Sequence, residues 1–145
     1  MKVKEILQSK ASKEIVTIGA EATVREAVEL FTRHGIGALP VVDESKQIFG
    51  IVTERDILRR CLKDENPDFL APVRAIMTAD VIVGVPEDDA DYVMGMFTNN
   101  RIRHLPIVSG KTMVGIVSIG DVVKSQLKQF EFENRHLKDY IKGSG

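Results

Sequence analysis

The chain has 145 residues, which at roughly 150 residues per domain allows one compact unit or two small interdependent ones. Lys and Arg total 20 against 21 Asp and Glu, a net charge of -1 that disfavours a phosphate-backbone partner, and the 43% of hydrophobic residues suffices for a core. The single cysteine, Cys61, excludes an intrachain disulfide and a cysteine-based zinc cluster and fits a reducing compartment; with no apolar run near ~20 residues and a polar start at Met1 to Glu5, the expectation is a cytoplasmic protein without a signal peptide or membrane span.

In chain order, Val3 to Leu7 is a short lead-in, and Ile15 to Ile18 reads as a first strand. Thr23 followed by Glu26 has capping-box spacing, and Val24, Ala27, Val28 and Phe31 form one apolar stripe at helical period, closed by Gly35. Two short Val- and Ile-rich runs follow, Leu39 to Val42 and Ile48 to Val52, joined by a tight turn, and a second helix begins near Glu54. Lys63 to Pro72, with its charges and two prolines, is the connector.

The pattern then recurs. Val73-Arg74-Ala75-Ile76-Met77 echoes the lead-in, Val81 to Val85 is the next first strand, and Asp88 or Asp89 caps a helix with Ala90, Val93, Met94 and Phe97 as its stripe. Phe97-Thr98 stands 66 positions after Phe31-Thr32, and Gly115-Ile116-Val117-Ser118 stands 65 after Gly50-Ile51-Val52-Thr53. The one-residue change falls between paired strands, where Asp43 to Gln47 is longer than Ser109 to Thr112; hairpin turns tolerate such changes. Each copy therefore reads as β-α-β-β-α. A unit of ~60 residues is marginal alone, so the two copies are expected to share one core, sheet packed on sheet. The boundaries fall at 1–62 (first repeat with lead-in), 63–72 (connector), 73–125 (second repeat) and 126–145 (helical extension).

Two stretches carry a family likeness. Ile36-Gly37-Ala38-Leu39-Pro40-Val41-Val42 with Gly50-Ile51-Val52-Thr53-Glu54-Arg55-Asp56, and Arg101-Ile102-Arg103-His104-Leu105-Pro106-Ile107-Val108 with Gly115-Ile116-Val117-Ser118-Ile119-Gly120-Asp121, closely resemble tandem CBS domains, the cystathionine β-synthase-type repeats. The resemblance covers nearly the whole chain and implies an α/β (α+β) fold of two repeats with pseudo-two-fold symmetry. It further implies a stand-alone sensor of adenosine nucleotides that assembles as a homodimer and regulates another protein.

Thr53-x-x-Asp56 and Ser118-x-x-Asp121 each stand at a strand-to-helix junction. One reading is a helix N-cap, worth about 0.5–2 kcal/mol. The other is a ligand site, in which a short carboxylate accepts ribose hydroxyls while the hydroxyl residue and the helix amides meet phosphates. Recurrence in both copies, a glycine three residues before each hydroxyl, and Asp in place of the longer Glu favour the second, which is how the resembled family uses the motif. By that resemblance Ser118 and Asp121 work with Thr17, Ile36, Gly37 and Ala38, whose small residues admit adenine, in a cleft between the repeats. Thr53 and Asp56 work with Arg103 and His104, a cationic pair suited to phosphate. Surface ion pairing is the competing role for Arg103, and structural packing for His104. The expected ligand is AMP, with ATP, ADP or NAD(H) as alternatives. A scaffold that binds other proteins without any ligand is the second reading.

From about Asp121 to Lys142 no Gly or Pro breaks the last helix, and Val123, Leu127, Phe130, Leu137 and Ile141 form a seam in 4-3-7-4 steps, with Asn134 at the missing position. The seam needs a second subunit or the chain's own repeats. Gly110-Lys111-Thr112 lacks the earlier glycine of a P-loop and is a hairpin turn. His34, His104 and His136 fall in no ligand motif, no metal site is expected, and no nucleophile, base and orienting group come together, so no enzyme is expected.

Overall fold

The computed structural model describes residues 1–11 and 14–144, the side chains of 142–144 excepted. Its elements are α1 (Val3–Ser9), α2 (Val24–His34), β1 (Ala38–Val42), β2 (Ile48–Thr53), α3 (Glu54–Lys63), a 3-10 turn at Val73–Ala75, α4 (Ala90–Asn100), β3 (His104–Ser109), β4 (Thr112–Ser118) and α5 (Ile119–Ser144). β1 pairs with β2, and β3 with β4, in separate two-stranded sheets, giving the expected α+β class with a long C-terminal helix. The anticipated first strands do not form as strands. Ile18 makes one parallel bridge to Val41, after which the chain turns at Gly19 to Ala22; Gly84 is likewise a lone bridge residue, followed by a turn closed by Asp88 on Val85.

The chain folds into two compact units, neither of them continuous in sequence. One comprises Met1–Lys13, Gly84–Leu105 and Ile116–Gly145; the other Glu14–Val83 and Pro106–Gly115. In the latter, α2 begins with a complete capping box, Thr23 Oγ1 accepting the Glu26 N–H at 3.1 Å while Glu26 accepts that of Thr23 at 3.2 Å. Ala27 and Phe31 then bury against Leu39, Val41, Val52, Ile18 and Val73. The β1–β2 register pairs Leu39 with Val52 and Val41 with Gly50, with a bulge at Val41/Val42. The longer turn is held by Asp43, whose carboxylate accepts the Ser45 and Gln47 N–H groups.

The other unit holds α1, α4, α5 and only the outer ends of β3 and β4. Ala90, Val93 and Phe97 of α4 are buried, as are Val3 and Ile6 of α1, Leu105 and Val117 of the hairpin, and Val122 of α5. α4 and α1 both pack against α5. Asp89 holds the N-cap position of α4 but makes no capping bond. Its carboxylate pairs instead with Lys2 at 3.0 Å, a hydrogen bond that holds the Lys2 ammonium above its ordinary range.

Gly35 ends α2 at φ 63°, its N–H reaching the Phe31 carbonyl; Arg101 ends α4 the same way at φ 53°, its N–H on Phe97. A side chain pays a steric penalty in this left-handed region that glycine escapes. Arg101→Gly is therefore expected to stabilise the protein by about 0.5–1 kcal/mol, and Gly35→Ala to destabilise it by about 1–2 kcal/mol, both read from urea denaturation.

Candidate functional site

Both strand-to-helix motifs adopt one geometry. At the first, Asp56 Oδ2 accepts the Thr53 N–H at 2.9 Å and the Thr53 hydroxyl at 3.1 Å, while Thr53 Oγ1 accepts the Asp56 N–H at 3.2 Å. At the second, Asp121 Oδ2 accepts the Ser118 N–H at 2.9 Å and Ser118 Oγ accepts the Asp121 N–H at 3.0 Å. Asp thus closes the reciprocal cap as fully as a longer acid, so the capping role is filled in both copies. The backbone beneath matches too: the Glu54 N–H donates to the Gly37 carbonyl and the Ile119 N–H to that of Arg103, each at 3.0 Å.

What differs is the third partner, and in each copy it comes from just after the lead-in of the other repeat. Thr78 places its hydroxyl 3.4 Å from Asp56 Oδ1. Lys10 places its ammonium 3.0 Å from Asp121 Oδ2 and 2.9 Å from the Ile116 carbonyl. Both side chains of the ion pair are 26% exposed. Burial pushes the Asp121 carboxyl up, but the Ser118 N–H and the Lys10 ammonium outweigh it and hold the group below its ordinary range. Sequence reading missed both partners, because each is remote in the chain from the acid it serves and neither belongs to the recurring motif.

Thr17, Ile36, Gly37, Ala38, Thr53 and Asp56 fall in one unit, and Arg103, His104, Ser118 and Asp121 in the other. Thr17, Ile36 and Gly37 are half-buried, and Ala38 is buried. A Cβ added at Gly37 would stand 3.1 Å from Glu54 Oε1, so the Glu54 carboxylate lies over this glycine. Arg103 is exposed and His104 half-buried at the start of β3. At Gly50, three residues before Thr53, an added Cβ would collide with the Met77 sulfur; the glycine admits the lead-in of the second repeat. The turn at Gly110 has φ 64° and joins β3 to β4 as a hairpin. Among the described residues no cluster of His, Cys, Asp and Glu is arranged to hold a metal, and Cys61 is exposed.

Two matches to the CBS domain pattern cover residues 3–63 and 73–128. The chain belongs to the CBS-domain family. A mitochondrial CBS domain-containing protein of Arabidopsis thaliana is 40% identical over 83% of this chain, which spans 61% of that protein's length. A solved structure of a CBS-domain protein from Burkholderia ambifaria, described as acting in signal transduction, is 39% identical with a TM-score of 0.81, covering 88% of this chain and 95% of that one. Another solved CBS domain pair, in complex with 5'-methylthioadenosine and S-adenosyl-L-methionine, is 28% identical with a TM-score of 0.76, covering 89% of this chain and 98% of that one.

The lowered Asp121 carboxyl makes a pH prediction. A depressed folded-state value contributes stability that is present above the ordinary value of 3.8 and lost as pH falls through the folded one. Asp121→Asn keeps an acceptor for the cap but removes the charge. It is expected to be less stable than wild type at pH 7 by about 1 kcal/mol, with the deficit shrinking below about pH 4, measured by urea unfolding at both pH values.

Proposed function

We propose that this CBS-domain chain is a regulatory module that binds adenosine-containing nucleotides at its two strand-to-helix motifs and passes their occupancy to a partner protein. The solved CBS pair holding two adenosine compounds is the observation that carries this reading, because this chain keeps a hydroxyl and a short acid at both junctions. Asp56 and Asp121 anchor ribose hydroxyls, Thr53 and Ser118 face the phosphate side with the helix amides, and Thr17, Ile36, Gly37, Ala38, Arg103 and His104 supply the surrounding walls. AMP is the first candidate, ahead of ATP, ADP and NAD(H). The role is regulatory, not catalytic, in a reducing compartment such as the cytoplasm. No helix among the described residues is long and apolar enough to cross a membrane.

Thermal melts with AMP, ATP, NADH and S-adenosylmethionine test the reading. At a concentration ~100 times Kd the bound nucleotide is expected to stabilise the fold by about 2.7 kcal/mol, and Asp56→Ala combined with Asp121→Ala to abolish the shift. No shift with any of them at millimolar levels would leave the scaffold reading in its place.

We also propose that α5 joins two chains into a homodimer. The packed root of the helix is Val122, fully buried, whereas the seam is exposed along its whole length, from 38% at Val123 to 66% at Phe130. Exposed apolar positions at heptad spacing are those a second helix covers. Light scattering is expected to give twice the chain mass for wild type and the chain mass for Leu127→Glu with Phe130→Glu, the helical signal being kept. A monomeric wild type overturns the homodimer.

A further inference from the structure

The two motifs are alike in their caps and unlike in charge. Asp56 receives only neutral donors: the Thr53 N–H, the Thr53 hydroxyl and, at a long 3.4 Å, the Thr78 hydroxyl. Asp121 receives a cation. Its Oδ2 is occupied twice, by the Ser118 N–H at 2.9 Å and the Lys10 ammonium at 3.0 Å, while Oδ1 takes no hydrogen bond among the described residues.

A ribose cis-diol that grips a carboxylate with both hydroxyls needs both oxygens. Oδ1 is available as it stands. At Oδ2, two donors already use the lone pairs, and one must yield. The Ser118 N–H is fixed by the cap, so the donor able to move is Lys10, a point charge on a flexible four-carbon stem. Once displaced, the ammonium keeps the Ile116 carbonyl but no counter-charge. A neutral nucleoside gives it none. A phosphate-bearing nucleotide does, since the displaced ammonium re-forms its ion pair on the ligand, and a cationic riboside adds a like charge beside it.

We propose that Lys10 sets the charge selectivity of the Asp121 motif, holding Oδ2 until a riboside that carries its own anion takes the ammonium over. The inference rests on the riboside-binding function proposed above, and it distinguishes the two motifs: the Asp121 site selects anionic ribosides, and the Asp56 site makes no such choice.

The test uses the full chain carrying Asp56→Asn, so that the second motif alone is read, with the unaltered chain alongside. Adenosine, AMP and S-adenosylmethionine are titrated calorimetrically into proteins with Lys10, Lys10→Met and Lys10→Arg. With Lys10, AMP is expected to bind more tightly than adenosine, and S-adenosylmethionine more weakly than AMP. Lys10→Met is expected to tighten adenosine about two- to fivefold, the range of a partly exposed ion pair, and to lose the preference for AMP. Lys10→Arg, which keeps the cation, is expected to retain the preference. Adenosine affinity unchanged in Lys10→Met, or an AMP preference that survives it, overturns the role of Lys10 and leaves riboside binding standing. If no riboside binds the unaltered chain, both proposals fall together.

Discussion

Val3 and Val73 are both fully buried, and each reaches its place by a backbone bond to the segment leading into a helix of the other repeat. Val73 N–H donates to Ala22 at 2.7 Å and Arg74 N–H to Ala20 at 3.0 Å; Val3 N–H donates to Asp88 at 2.9 Å and Lys4 N–H to Pro86 at 3.0 Å. In return the first residue of each helix donates outward, Val24 to the Ala71 carbonyl and Ala90 to that of Met1, both at 2.9 Å. A helix's first N–H groups have no partner within the helix, so the carbonyls of Ala71 and Met1, just ahead of the two lead-ins, satisfy donors that the helices leave open. Each buried valine adds about 1.5–3 kcal/mol of apolar burial. Neither helix is finished without a segment from outside its own repeat: the first lead-in groups with Gly84–Leu105, and the second lies within Glu14–Val83.

The same exchange determines the electrostatics of the motifs. The reciprocal Ser/Thr-to-Asp cap is local, reaching three positions along the chain, and closes the same pair of backbone N–H bonds in the two copies. The third partner is imported with the lead-in, and the two lead-ins are not identical. One delivers Thr78 and the other Lys10, so an internal duplication has yielded two carboxylates of the same geometry and different charge environment. The difference between these segments changes the third partner, while the caps that start α3 and α5 keep the same backbone bonds.

What was legible in the sequence follows the range of the interactions. The capping box at Thr23, the closing turn at Gly35, both hairpins and the starts of α3 and α5 depend on residues within a few positions, and each appears where the residues indicate. Short-range reading failed where a remote partner decides. Asp89 gives its carboxylate to Lys2 and not to its helix. Ile15 to Ile18 has strand-like residues, but Ile18 alone finds a bridge, to Val41, before the chain turns away. Arg101 occupies a left-handed cap that only its match to Gly35 in the repeat marks out. At the root of α5 the heptad pattern selected Val123, whereas the packed residue is Val122, because the start of this helix answers to α1 and α4, with Gln126 still donating to Asp91 of α4.

Asp121 lies in the first turn of α5, and Lys10 follows directly on α1, which packs against that helix. One ion pair therefore ties the tail of the lead-in helix to the root of the longest element in the chain. Asp56 has no comparable reach: α3 ends at Lys63, and its third contact is a long bond between neutral and charged oxygens on the surface. A ligand shifts a conformational equilibrium only by as much as it distinguishes the two states. At Asp56 a riboside would exchange one hydroxyl for another, a small difference. At Asp121 it would have to redirect a cation, at the start of the helix that bears the exposed apolar seam.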